Sequence, residues 1–532
     1  MLDPAGQPLP CRLLPPGSRR PRAPRLTLMT LLGIGLYFCY QADAFAKNDV
    51  PVAERREQAQ QGFAEDLESL AESAAAAGHN ALAQQFRDWR LPRFIDKHLI
   101  LVIPAAANES TASSIDNETD KEQATLLARF VRLREQQANR LFEIAEQAAD
   151  EEDVQTAHEL LYATLRQDPN HAKARAILGY ERRDDHWYRP AAIKRLEAGE
   201  VWHDRFGWLP EKHVARYEAG ERYYRGRWIS VAREAEIRSN IKRGWRVETE
   251  HFEVVTNHSL DEGVALAKRL EQLHRAWRQL FAAYHTTPAE LKKMVRAGKP
   301  NSRPSKRHKV VYFRNRDEYI KHLVKRQPGI ERSIGIYKTS DRTAYFFAGE
   351  DQDPGTVLHE ATHQLFQETS SAKRKVAQKA NVWIVEGIAC YMESLRSGNR
   401  SDTDEPTGYD TVGGYNVARL PGARIRLLED RFYVPFAELL RLGGPLLQRH
   451  PQAATIYTQA AGQAAFLMHY DAGHYRGALV DYLRAIYANR ARFDTLTRLT
   501  ERSSQELDQE YRQFLLGAAA ASADSDDAAG NE

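Results

Sequence analysis

The stretch Asp353–Glu368, DPGTVLHEATHQLFQE, contains His359-Glu360-x-x-His363. On an α-helix, residues four apart lie one turn apart on the same face. Two imidazoles so placed can hold one metal ion together. Glu360 projects beside them, within reach of a proton on a water at that ion. A helix is expected here on independent grounds. Asp353 suits the N-cap and Pro354 the first helical position. Val357, Leu358, Ala361, Leu365 and Phe366 form an apolar stripe at helical spacing. The histidines then sit at the margin of a buried face, where a cleft can form. The bare pattern also arises by chance on ordinary amphipathic helices, so a third ligand is needed.

Trp383-Ile-Val-Glu386-Gly387-Ile-Ala389-Cys-Tyr391-Met-Glu393 follows downstream. Between His363 and Glu386 the first helix can end, the polar SSAKRKVAQKAN can loop back, and a second helix can return a carboxylate. Two His nitrogens and one Glu oxygen leave a fourth position on zinc for water, which is the catalytic rather than the structural arrangement.

HExxH followed by W-x-x-E-G-x-A-x-Y-x-E resembles the gluzincin zinc metallopeptidases. These include the M1-type aminopeptidases and the peptidase-MA-like domains of bacterial exported and envelope proteins. The resemblance implies an α+β, zincin-like catalytic domain: a small mixed sheet, active-site helices and a helical C-terminal part. It implies His359, His363 and Glu386 as Zn2+ ligands, Glu360 as general base, and Glu393 as a carboxylate orienting a ligand histidine. Thermolysin-like members carry an Asp four residues after the ligand Glu. Here that position is Cys390, which favours the Glu393 version over a thermolysin-like one; the plain alternative is a solvent-facing Glu393. Ile456-Tyr457-Thr-Gln-Ala-Ala-Gly462 resembles the M1-type helix whose tyrosine stabilises the oxyanion. Its Lys and Gly do not match, and a packed helix tyrosine is the other reading of Tyr457. Ile334–Tyr337 and Thr343–Phe347 are expected as a hairpin lining the cleft, with backbone from Ala344 to Ala348 pairing an extended peptide by β-addition. No G-x-M-E-N-type stretch precedes His359, which tilts the reading toward an endopeptidase.

Composition is that of a globular protein, 42% hydrophobic and 28% charged, with a net charge of +3. Residues 1–46 hold five Arg and two Asp, so the rest of the chain is neutral and nothing suggests nucleic acid as a partner. An Arg- and Pro-rich lead, an apolar run from Leu26 to Tyr40 and Ala44-Phe45-Ala46 read as a cleavable export signal over 1–46, with Met29 an alternative start. The run is short for a spanning helix, so contact with a membrane is expected only through an uncleaved signal. Of Cys11, Cys39 and Cys390, only Cys390 outlasts cleavage. No internal disulfide is therefore expected, and Cys390 reads as a small buried residue.

The remaining organisation is read in order. Residues 47–120 are a helical segment and a linker, with Leu99–Ile103 a short strand or helix core. Residues 121–180 are helical hairpins resembling part of a tetratricopeptide repeat, turning at Asp168-Pro169-Asn170; this is either a partner-binding platform or a packed spacer. Residues 181–245 are short repeats carrying Trp187, Trp208 and Trp228, which more readily build a repeating core than a ligand box. The catalytic domain spans 246–516, with a basic solvated loop over Lys292–Lys309 and a mobile rim over Arg396–Asn416. Residues 517–532 read as a disordered acidic tail.

Together these features point to an exported zinc-dependent peptidase, in the periplasm, cell envelope or medium, acting on a peptide or protein. Two other classes remain open. One is a non-catalytic scaffold working through the helical and Trp-containing region. The other is an envelope protein whose zinc is only structural, which a fourth protein ligand would mark; no nearby Cys or His offers one.

Overall fold

The helical N-terminal part forms where Ala, Leu and charged residues recur without Pro. In the computed structural model these helices are α1 (Val52–Ala76), α2 (Asn80–Asp88), α3 (Lys121–Asp150), α4 (Val154–Gln167) and α5 (Ala172–Ile177). The structure describes residues 50–103, 121–183, 185–301, 306–350, 353–370, 376–398 and 408–529, with side chains to 517. The expected export signal and the linker over 105–120 lie outside these residues. Residues 55–532 form one compact unit, and the description below concerns that unit. Phe63, Leu67, Leu70, Leu82, Phe86, Leu126 and Phe130 bury one small core among α1, α2 and α3. The Asp168 carboxylate accepts the Asn170 N–H at 2.8 Å, closing the turn between α4 and α5.

Strand β1 (Lys97–Leu101) interrupts the helices. After α5 come three antiparallel hairpins: Glu181–Arg183 with His186–Tyr188, Glu200–His203 with Gly207–Pro210, and Glu221–Tyr224 with Arg227–Ser230. Each return strand carries one of the three tryptophans, and each hairpin leads into a short helix: Pro190–Glu197, Val214–Glu218 or Val231–Arg238. Trp202 faces Trp208, and Tyr223 faces Trp228, in register across their hairpins.

A five-stranded mixed sheet follows, built from β2 (Trp245–Glu248), β3 (Phe252–Thr256), β4 (His308–Phe313), β5 (Ile336–Lys338) and β6 (Thr343–Phe347), in the order β5-β6-β4-β3-β2. β4 runs parallel to β3 and β6, while β5 and β2 pair antiparallel at the two edges. Helix α6 (Leu260–Leu280), capped by the Ser259 side chain, packs Val264, Ala267, Leu270, Leu273 and Trp277 into the core.

The structure corrects three expectations. β6 is not an edge: β5 and β4 flank it, and all five of its residues are buried. Backbone from Ala344 to Phe347 therefore cannot accept a substrate strand, and the edge beside it is β5. A continuous apolar run marks a strand covered on both faces, and Ala344–Phe347 is such a run. The basic loop is shorter than expected, because Pro288–Ala297 is a helix held by a Thr287/Glu290 capping box. The expected rim is partly fixed, because Tyr409–Gly413 forms β7, antiparallel to β1; residues 399–407 of it lie outside the described part.

The longer helices that follow are α7 (Pro354–Thr369), α8 (Val382–Met392), α9 (Leu420–Leu428), α10 (Ala453–Gly473), α11 (Arg476–Tyr487) and α12 (Ser504–Ala529), with short helical turns between some of them. α12 runs into the residues expected as a tail. α10 breaks at Asp471 and Ala472, both at positive φ. One hydrophobic core unites the sheet with α6, α7, α8 and α10 through Phe252, Trp277, Leu358, Phe366, Trp383 and Phe466. Each such side chain contributes about 1.5–3 kcal/mol by leaving water. Among the described residues, no helix is long and apolar enough to cross a membrane.

Candidate metal centre

The Asp353 side chain accepts the Gly355 N–H at 2.8 Å and Pro354 opens α7. Val357, Leu358, Ala361, Leu365 and Phe366 are buried, which leaves His359, Glu360 and His363 along the margin of that face.

The second helix is aimed by two local devices. Asn381, just before α8, has φ +64°, a conformation Asn tolerates better than most residues. The Tyr482 hydroxyl donates to the Asn381 side-chain oxygen at 2.6 Å, and the Asn381 side-chain amide donates to the Arg492 backbone carbonyl at 3.2 Å. Gly387 is the other device. A Cβ there would lie 2.5 Å from the Ala460 carbonyl oxygen, so only glycine lets α8 lie directly on the backbone of α10. This explains why Gly follows Glu386. It also brings α10, with Tyr457 one turn before Ala460, to the centre.

Three candidate ligand atoms converge. His359 Nε2 and His363 Nε2 are 3.1 Å apart, and each is 3.3 Å from Glu386 Oε2. A tetrahedral zinc with bonds of about 2.0–2.1 Å has ligand-to-ligand edges of about 3.3 Å, so this near-equilateral triangle fits one face of such a site. The imidazole planes stand at 78° to each other, so their in-plane lone pairs can meet at one point. Burial would raise the Glu386 carboxyl, but His363 and His359 hold it well below the usual carboxylate range. Among the described residues these three form a group able to hold an ion.

Glu393 does not face solvent. It is 7% exposed, and its Oε1 accepts His359 Nδ1–H at 2.9 Å, which leaves Nε2 free for a metal. Against the effect of burial, its hydrogen bonds with His359 and Arg419 lower its pKa. Cys390 is fully buried, its Sγ 3.7 Å from the same Nδ1. Burial comes first in raising that thiol's pKa, which suits packing rather than nucleophilic chemistry.

Glu360 Oε2 accepts the backbone N–H of Tyr337, on edge strand β5, at 2.7 Å. The Tyr337 hydroxyl donates to Glu368, and Glu368 in turn meets His308 of β4 at 3.0 Å. The edge strand is thus tied to the middle and to the C-terminal end of the HExxH helix. Tyr457 is half-buried and, among the described residues, its hydroxyl makes no hydrogen bond. Burial, and after it the charge of Glu386, raises its pKa, so the phenol keeps its proton and points to an environment shared with the ligands.

Sequence reasoning missed Arg419, Tyr337 and Asn381. None stands at a fixed spacing from the histidines, and two of the three contribute through backbone geometry. A family model described as "Protein of unknown function (DUF1570)" matches residues 353–494. That stretch runs from the cap of α7 past Glu386, Glu393, Arg419 and Tyr457, and leaves out the sheet and the hairpins. No curated protein and no solved structure matches the chain.

Proposed function

We propose that this chain is an exported, zincin-like zinc peptidase with a tetratricopeptide-like helical region ahead of its catalytic part. The observation that carries this reading is the convergence of His359, His363 and Glu386 at tetrahedral spacing beside Glu360. A bound zinc would lower the pKa of water toward neutrality and polarise a peptide carbonyl.

The chain's own residues supply the rest. Glu360 takes a proton from the attacking water as its oxygen bonds to the carbonyl carbon. It then gives that proton to the leaving amine as the C–N bond breaks. Tyr457 has a phenolic O–H to offer the oxyanion of the tetrahedral intermediate. A peptide strand pairs along β5, where the Tyr337 N–H faces the Glu360 side. Such pairing holds an extended chain by its backbone, which favours an endopeptidase.

The test is Glu360→Gln in purified mature protein, screened against a peptide library beside wild type. Zinc content should be retained while hydrolysis falls about 10²–10⁴-fold, the usual loss of general-base catalysis. Full activity of the variant on a confirmed substrate refutes the mechanism.

A further inference from the structure

Arg419 stands at the start of α9 and reaches back to the centre. Its Nε donates to Glu393 Oε2 at 2.8 Å and its Nη2 to Glu393 Oε1 at 3.1 Å. This is a two-toothed grip on one carboxylate, the geometry for which a guanidinium is built and an ammonium is not. The gripped carboxylate is 7% exposed, and its Oε1 also accepts from His359 Nδ1. A chain of three side chains therefore runs Arg419, Glu393, His359.

The backbone is bent to make this reach. Ala418, immediately before Arg419, has φ +54°. An alanine in the left-handed region costs of order 1 kcal/mol, so surrounding structure must hold it there. The Arg419 guanidinium, which has no acceptor with which to cap α9, turns its donors back to Glu393.

Resting on the zinc reading above, we propose that Arg419 is a positioning residue for the metal. It fixes the Glu393 carboxylate so that His359 keeps its proton on Nδ1 and presents Nε2 to the ion. Without the grip Glu393 can rotate, and Cys390 Sγ, 3.7 Å from Nδ1, becomes the nearer, weaker partner. His359 then loses both its tautomer and its ring orientation.

The experiment measures zinc affinity of the full chain by competition with a chromophoric chelator, together with the visible absorption spectrum of the Co2+-loaded protein. Arg419→Met should weaken zinc about 10–100-fold, the usual effect of losing a partner behind a ligand histidine, and should shift the Co2+ bands. Arg419→Lys, keeping charge without the fork, should recover only part of the loss. In a Glu393→Gln background, Arg419→Met should cost little more, because it acts through Glu393. Zinc affinity of Arg419→Met within twofold of wild type, or a loss adding in full to that of Glu393→Gln, overturns the proposal while leaving the zinc reading intact. A wild type that binds neither ion overturns both.

Discussion

Among the described residues, two clusters join two histidines to one glutamate, and one of the two is built to meet at a point. At His359, His363 and Glu386 the ligand atoms lie 3.1–3.3 Å apart and the rings cross at 78°. At His251, Glu271 and His274 the atoms are also close enough for an ion. There, however, the imidazoles stack 3.6 Å apart at 21°. Imidazole lone pairs lie in the ring plane, so stacked rings aim along near-parallel sheets and share no focus. Glu271 is already committed: it accepts both the backbone N–H of His251 at 2.7 Å and its Nδ1 at 2.8 Å. The first cluster rides on two helices set by a cap, a positive-φ Asn and a glycine contact. The second spans the turn between β2 and β3 and the side of α6. Residue types and proximity alone do not separate the two; ring orientation does.

Metal content is the sharpest way to break this comparison. Wild-type mature protein should carry about one zinc, lost in Glu386→Ala and retained in Glu271→Ala, by elemental analysis. Zinc that survives Glu386→Ala but not Glu271→Ala would reverse the assignment.

Gly387→Ala should come next in effect. The added methyl meets the Ala460 carbonyl at 2.5 Å, and overpacking of this kind costs about 1–3 kcal/mol. Denaturant unfolding of the metal-free protein should show that loss, with weaker zinc binding in parallel. An unchanged midpoint would mean that the contact of α8 with α10 does not aim Glu386.

The smallest effect is a pH dependence of the second cluster. Burial, and then the neighbouring His251, hold the His274 pKa well below its ordinary value of 6.5. The unfolded chain takes up this proton below pH 6.5 and the folded chain does not. The contribution is therefore complete above that pH and is lost as pH falls beneath it. His274→Leu should flatten the decline in stability between about pH 6.5 and 5. A decline equally steep in the variant would show that other groups carry it.

Much of the fold was legible for local reasons. The Asp353-Pro354 start of α7, the stripe from Val357 to Phe366, the short tryptophan-carrying repeats and the Asp168–Asn170 turn each depend on residues close in sequence. Two of the three misreadings came where pairing partners decide; the third, the helix Pro288–Ala297, rests on a local capping box. Thr343–Phe347 reads as a strand, but whether it is edge or centre depends on β4 and β5, which lie on either side of it. Tyr409–Gly413 looks like a polar, Gly-rich rim until β1, more than three hundred residues earlier in the chain, pairs with it.

The sequence by itself determined the candidate ligand types, their placement on two helices and the carboxylate beside them, because helical periodicity and capping are local. Tertiary structure alone decided that Glu386 swings to within 3.3 Å of both imidazoles, that Arg419 grips Glu393, and that the N–H of Tyr337 meets Glu360. Those contacts depend on how helices and sheet pack, on the approach of α8 to α10 allowed by Gly387 and on the backbone turns at Asn381 and Ala418. No spacing rule along the chain encodes such distances between segments.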